Sequence, residues 1–363
     1  MEPTLNTHNY RFFLYVHEAW DAIYQACLNA QTSIVFDHFI LVDDKSGRPF
    51  INLFKEKVKA GITVKILLDA VGSPQVFPFS LGTELKEAGV EIEFFNTLIP
   101  GSLGHYTPWF FRDHRKVIVI DSTIGFTGGV CFQEHMREWR DTCVRIEGPV
   151  VSDMERSFYV MWARTRKERG ERERRLKLDD ITRPFVFLTN EPFVRRRFLY
   201  YELLERIKQA ECSIYFTTPY FVPNRKLLRA LRRAARRGVS ISLLIPLSSD
   251  HRFIDLAARS YFDELLKAGV NIYFGGRPLN HTKAGTVDQK WGTLGSLNLD
   301  YVSLRYNFEA NLVTSDEEFV SLLNAQFLND CQKAQKVEAS VWRKRSFAQK
   351  LLEFCITPVR FLL

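Results

Sequence analysis

The chain repeats itself, and the repeat restricts its fold more than any single motif. AQTSIVFDHFI (30–40) returns as AECSIYFTTPYF (210–221), and FKEKVKAGITVKILLD (54–69) as LRRAARRGVSISLLIP (231–246). TELKEAGVEIEFF (83–95) returns as FDELLKAGVNIYF (262–274). In each copy an apolar strand is followed by a helix, a Gly turn and another strand. Alternation of this kind predicts an α/β fold with two similar domains, each built on a mostly parallel central sheet flanked by helices. With 363 residues and 46% hydrophobic content, the chain can bury two cores of ordinary size.

The expected boundaries follow. A first domain covers 1–162, and a charge-dense linker, ARTRKERGERERRLKLDD, covers 163–180. A second domain covers 181–340, and a basic amphipathic segment covers 341–363. The two halves differ in one place. The offset between them is near 180 residues up to Gly89 and Gly269, then falls to 167 at His114 and His281. The first half therefore carries an insert, NTLIPGSLGHYTPWFFRD (96–113). Trp109, Phe110 and Phe111 in a row either pack into the core or lie beside an acyl chain or bilayer interface.

The chemistry-bearing signal sits inside the repeat. HRKVIVID (114–121) and HTKAGTVD (281–288) place His, Lys and Asp at identical spacing: His114, Lys116, Asp121 and His281, Lys283, Asp288. Given one His, such a match arises by chance roughly once in several hundred trials. A second match, at the equivalent place of a repeat and again before a Gly turn, is not accidental. On a strand, residues two apart share a face, so each His projects with its Lys. Each Asp, an odd number of steps away, faces the other side and suits a supporting role. Ser296 and Asn298 in GSLN also lie two apart and can offer a hydroxyl and an amide to one ligand.

If the halves pack about a pseudo-twofold axis, two imidazoles and two ammonium groups converge. Two such lysines call for an anion between them, and a tetrahedral phosphate suits them. One histidine can attack phosphorus while the other protonates the leaving oxygen. The chemistry implied is an in-line displacement through a phosphohistidine, with the lysines supplying the positive charge, no metal and no cofactor. Each imidazole also needs an acceptor for its second nitrogen. Glu309, 28 residues after His281, and Asp141, 27 after His114, occupy matching places and are nominated as supporting groups.

These motifs resemble the phospholipase D superfamily. The resemblance is nearer to its bacterial cardiolipin synthase branch, and within that to the shorter B-type enzymes. ILLDAVGSP (66–74), WRDTCVRIEGPVV (139–151), TPYFVPN (218–224) and LGSLNLDYVSLRYNFEANLV (294–313) carry it, over roughly residues 10–335. The longer relatives begin with two membrane-spanning helices, which are not expected here. The resemblance implies two phospholipase D-like α/β domains around one active site and a ping-pong transfer of a phosphatidyl group. It places the nucleophile on His114 and the general acid/base on His281, an assignment local symmetry allows to be reversed. Lys116, Lys283 and Asn298 would bind phosphate oxygens, with Ser296 a weaker candidate. One departure stands out. The position matching Asn298 is Cys131, and a thiol is a poor substitute for an amide donor.

Composition bears on the substrate. The net charge of +8 and pI near 9.1 favour an anionic partner. The basic run RKLLRALRRAARR (225–237) suits DNA, lipid headgroups or plain solvent. WRKRSFAQKLLEFCITPVRFLL (342–363) reads as an interfacial segment, or as a terminal helix packed on the core. Six cysteines show no zinc spacing and fit a reducing compartment. No secretory signal or spanning segment is evident. The expected function is a transferase making cardiolipin from phosphatidylglycerol, possibly with a second phospholipid. The expected partner is an anionic membrane, at the cytoplasmic side of a bacterial inner membrane, and no nucleic acid is expected. Phospholipase D-type hydrolysis, a nuclease of the same superfamily and a lipid-binding scaffold are the alternatives.

Overall fold

The structure is a computed structural model that describes residues 8–74, 81–97, 110–168, 183–358 and 360. Trp109 and residues 169–180 of the expected linker lie outside the described residues. The chain divides into two units, Met1–Arg175 with Asn307–Ala310, and Leu176–Tyr306 with Asn311–Leu363.

The first unit contains β1 (Asn9–Tyr15), α1 (Val16–Leu28), β2 (Ser33–His38), α2 (Gly47–Lys59), β3 (Thr63–Asp69), α3 (Leu81–Glu87) and β4 (Glu91–Phe95). It continues with β5 (Lys116–Ile120), β6 (Ile124–Gly128), β7 (Arg140–Glu147) and α4 (Val150–Thr165). Its seven strands are ordered β1-β7-β6-β5-β2-β3-β4. Phe36, Phe54, Phe126, Phe132 and Phe158 are fully buried in it. Each such ring contributes about 1.5–3 kcal/mol of burial energy.

The second unit contains β8 (Phe185–Asn190), α5 (Phe198–Gln209), β9 (Ser213–Thr217), β10 (Phe221–Val222), α6 (Arg225–Arg236) and β11 (Ser240–Pro246). Next come α7 (Arg252–Arg259), α8 (Phe262–Lys267), β12 (Asn271–Gly275), β13 (Ala284–Val287), β14 (Trp291–Gly295), β15 (Leu299–Asp300) and α9 (Tyr301–Arg305). Then follow β16 (Glu309–Thr314), α10 (Glu317–Gln332), β17 (Gln335–Lys336), α11 (Ala339–Arg343) and α12 (Phe347–Ile356). Its main sheet runs β17-β12-β11-β9-β13-β14-β16-β8. Apart from the short added β17, this is the first sheet's order read in reverse, strand for strand.

The α/β class and the two matching halves stand; the mostly parallel sheet does not. In the two large sheets, among the described residues, β2-β3-β4 and β9-β11-β12 are the parallel runs, and the strands around the repeated motif are antiparallel. The reason lies in the connections. Helical crossovers join the parallel strands, whereas a three-residue turn joins β5 to β6 and β13 to β14, and so short a turn permits only an antiparallel return.

α6 shows why the basic run is a helix. Asn224 accepts from the backbone N–H groups of Lys226 and Leu227 and caps its first turn. Leu227, Leu228, Leu231 and Ala234 form its buried stripe, and Gly238 at φ 92° ends it.

Candidate active site

The repeated motif does not lie within a strand, as expected, but at its entrance. β5 begins at Lys116 and β13 begins just after Lys283, so both histidines sit on the segments leading in. In both units the lysine folds back onto its histidine. Lys116 Nζ donates to the His114 carbonyl at 2.7 Å, and Lys283 Nζ to the His281 carbonyl at 2.6 Å. Both lysines are buried, at 2% and 1% exposure. Among the described residues Lys116 has no carboxylate partner; its ammonium lies 5.5 Å from the centre of the Phe39 ring. A buried cation held only by dipoles and a π face suits an anionic ligand.

In the first unit the imidazole is held by a carboxylate. His114 Nδ1 lies 3.0 Å from both oxygens of Glu309, which is fully buried. The sequence offset placed Glu309 with His281, but its carboxylate meets His114. The backbone fixes this approach: His114 N–H donates to the Phe308 carbonyl, and Phe308 N–H to that of Arg112. Asn307 Nδ2 also donates to Glu309 at 3.3 Å. A carboxylate on Nδ1 keeps the proton there and the lone pair on Nε2. The edge of the ring rests against Phe39, centroid to centroid 5.0 Å.

In the second unit the corresponding neighbour is an ammonium. Lys283 Nζ is 2.8 Å from Nδ1 and 3.1 Å from Nε2 of His281. Tyr220 meets this imidazole edge-on at 5.8 Å and donates through its hydroxyl to Asp250 at 2.7 Å.

The two motif aspartates share a structural task. Asp121 accepts from the backbone N–H groups of Gln31, Thr32 and Ser33 and from the Thr32 hydroxyl, at 2.7–2.9 Å. Asp288 accepts from the N–H groups of Glu211, Cys212 and Ser213 at 2.7–2.8 Å. Each sits at positive φ, 52° and 53°, in the tight turn after the motif strand. Each therefore pins that turn to the start of the neighbouring strand, β2 or β9. Desolvation pushes both carboxyls up, but the backbone donors outweigh it and hold them below the usual carboxylate range. Their donors are backbone groups at the strand starts, in keeping with the supporting role expected of them.

The remaining candidates sit on the strands flanking each motif. Asp141, at the start of β7, is buried against Gly129: a Cβ there would lie 2.3 Å from Asp141 Oδ1. The residue of the second unit that matches Gly129 is Ser296, which is fully buried. Asn298 is also buried and donates through Nδ2 to the Ser303 hydroxyl at 3.4 Å. The Leu297 N–H between them donates to the Asn311 side chain. In the first unit Cys131 directs its thiol to the Gly129 carbonyl at 3.9 Å, so the amide donor of the second unit has no counterpart there.

Sequence reasoning missed Phe39, Tyr220 and His38. All three lie at or just past the ends of β2 and β9, inside the segments that revealed the repeat. His38 stands opposite Lys116 in the β2–β5 register and is 2% exposed. Burial, then the nearby Lys116 and His114, push its imidazole well below the ordinary value, so it stays neutral. Asp69, at the end of β3, accepts from the N–H groups of Val71, Gly72 and Asp113 and pairs with Arg112 at 3.3 Å. Burial nonetheless raises its carboxyl to about 6.

The family model described as "Cardiolipin synthase, PLD-like domain" matches residues 23–162 and again 203–331. Cardiolipin synthase B of Salmonella typhimurium is 34% identical over 345 residues, covering 90% of this chain and 82% of that one. Probable cardiolipin synthase YwiE of Bacillus subtilis is 30% identical over 353 residues, covering 93% and 68%. Among solved structures, phosphatidylserine synthase of Haemophilus influenzae superposes with a TM-score of 0.69 over 98% of this chain and 95% of that one. At 14% identity that likeness speaks for the fold alone. Matched twice by one model, and with both His-Lys pairs intact, the chain belongs to the cardiolipin synthase family of phospholipase D-like domains and is an enzyme of that superfamily.

Proposed function

We propose that this enzyme is a phosphatidyl transferase that makes cardiolipin from phosphatidylglycerol at the surface of an anionic membrane, on the cytoplasmic side of a bacterial inner membrane. The observation that carries the reading is the Glu309 carboxylate on His114 Nδ1. It leaves Nε2 as the nucleophilic nitrogen and offsets the positive charge the ring gains when it bonds to phosphorus. The proton-transfer role is given to His281, the equivalent imidazole of the second unit, which lies beside Lys283.

In the first step His114 Nε2 forms a bond to phosphorus and the bond to the glycerol oxygen breaks. His281 gives that oxygen a proton, and free glycerol leaves. In the second step His281 takes the proton from a hydroxyl of another phosphatidylglycerol, whose oxygen attacks phosphorus. The His114–phosphorus bond breaks, and cardiolipin forms. Lys116, Lys283 and Asn298, with Ser296 beside them, hold the non-bridging oxygens as charge builds on them. No step calls for a metal ion, because the lysines supply the charge.

The test is purified protein with phosphatidylglycerol vesicles, alongside His114→Ala and His281→Ala, with lipids read by mass spectrometry. Cardiolipin and glycerol from wild type alone support the reading. Phosphatidic acid without cardiolipin makes the enzyme a hydrolase, and unchanged lipid rejects phosphatidylglycerol as the sole substrate.

A further inference from the structure

The second unit contains a cavity of about 860 Å³ that includes neither His281 nor Lys283 among its lining residues. It lies among the first turns of α5 and α6, helix α9, and the C-terminal residues Thr357, Pro358 and Arg360. Its charge is one-sided. Six of its sixteen lining residues are Arg or Lys, and none is Asp or Glu.

The innermost cations are Arg197 and Arg305. Arg197 is 8% exposed, and its Nη2 donates to the carbonyls of Pro192 and Arg305 at 2.9 and 3.2 Å. Arg305 Nη1 donates to the Tyr301 hydroxyl at 2.6 Å, and its guanidinium lies 5.0 Å from the centre of that ring. The Nε of each arginine is buried with no hydrogen-bond partner among the described residues. Neither has a carboxylate partner among those residues. Two like charges side by side, each with an unsatisfied buried donor, cost free energy unless an anion shares them. The spare N–H groups are what a phosphate oxygen accepts from.

Its surroundings favour a lipid as the source of that phosphate. The lining residues Thr357 and Pro358 come directly after α12, and α12 faces the wrong way for a soluble protein. Its Glu353 is 3% exposed, held by Arg345, which also pairs with Asp263. Its large apolar side chains point outward: Phe347 is 80% exposed and Phe354 74%, with Leu351 between them on the same face. Phe253 on α7, which packs against α12, is 73% exposed. No helix among the described residues is long and apolar enough to cross a membrane, so this ridge is sized to enter only its interface. The expected interfacial segment therefore begins later than its sequence suggests, since Trp342 is buried against Phe262.

We infer that the Arg197–Arg305 cavity is a second phosphate site, apart from the reacting histidines, which holds the headgroup of an anionic phospholipid while the outward ridge of α12 rests in the same bilayer. Tyr301 and Tyr200 form part of its lining. Lys226 and Arg229, exposed on the first turns of α6, contribute further charge at its edge.

The test uses the full chain carrying His114→Ala, so that binding is read without turnover and independently of the reaction proposed above. Hydrogen exchange is followed at residues 197–201, 225–229 and 347–358 with phosphatidylcholine vesicles, with vesicles that also contain phosphatidylglycerol, and with inorganic phosphate. The expected result is protection of all three segments by the phosphatidylglycerol vesicles alone. Adding Arg305→Gln should remove the protection at 197–201. If that variant does not fold, Lys226→Gln with Arg229→Gln, both on exposed positions, should weaken vesicle binding roughly 10–30-fold. Vesicle binding that leaves 197–201 and 225–229 unprotected overturns the site. Equal protection by inorganic phosphate overturns the lipid as its occupant.

Discussion

In the first unit the motif imidazole meets a carboxylate, and in the second it meets an ammonium. The frames around them are the same. The strand order is shared, each motif strand pairs with its neighbour in the same register, and each motif aspartate clamps the same turn. The difference lies in what the flanking strands bring. His114 has Glu309 on Nδ1, and His281 has Lys283 across its ring. A duplicated scaffold has been kept while each copy gives its imidazole a different neighbour from its own unit.

The strongest way to break this comparison is to remove each imidazole in turn. His114→Ala should lower transfer by about 10³–10⁴-fold or more and leave no covalent phosphatidyl adduct. His281→Ala should lower turnover comparably, yet still form the adduct on His114, visible by intact-protein mass spectrometry in acid-free conditions. An adduct on His281 in the His114 variant would reverse the roles. Glu309→Gln comes next. It keeps the shape but loses the charge, and kcat should fall on the order of 10²–10⁴-fold, as for the carboxylate partner of a reacting histidine elsewhere. The loss should exceed that of Asp141→Asn if the two histidines differ as described.

Asp121→Ala and Asp288→Ala should act on stability instead. Each releases three backbone donors at the start of a strand, two of them exposed to water, at a cost of roughly 1–2 kcal/mol, and Tm should fall similarly for both. A loss of kcat in either variant without a matching loss of Tm would return these residues to the chemistry.

Asp69 sharpens the contrast through pH, because the matching residue of the second unit is Pro246. Its folded-state carboxyl titrates near 6 against an ordinary 3.8, with burial the leading cause. The folded chain thus binds this proton more tightly than the unfolded chain. Its contribution to stability is greatest below about pH 4 and is lost as pH rises through about 6, by at most about 3 kcal/mol. Asp69→Asn should flatten the dependence of Tm on pH between 4 and 7, and an unchanged slope would show that another group titrates there.

The smallest effect is expected from making the halves more alike. Cys131→Asn adds the amide donor that the second unit already has. It should raise kcat/KM up to about 5-fold, the worth of one neutral hydrogen bond. No change would mean that phosphate is held without help from that position.

Much of this was legible in the chain itself. The repeated segments named many of the strands, and the spacing of His, Lys and Asp marked the candidate site residues. Each lysine does meet its histidine, but by folding back onto its carbonyl from the strand entrance, not through the strand period of two. The aspartates' odd spacing already argued against direct contact with substrate, and the turns show where they go instead. What the chain did not disclose was the partner of each imidazole. Glu309 is 195 residues from His114, and no local pattern links them. The antiparallel half of each sheet was missed for a related reason: apolar runs look alike whichever way the neighbouring strand runs, and only the three-residue turns settle the direction.

The sequence determined the architecture and marked the candidate site residues, because a duplication is visible as spacing and burial is visible as apolar pattern. The tertiary structure decided that Glu309 meets His114, that the two motif aspartates clamp turns, and that two arginines line one cavity. Those are contacts between distant parts of the chain. They depend on how backbones approach to within hydrogen-bond distance, and periodicity along a single strand does not carry that information.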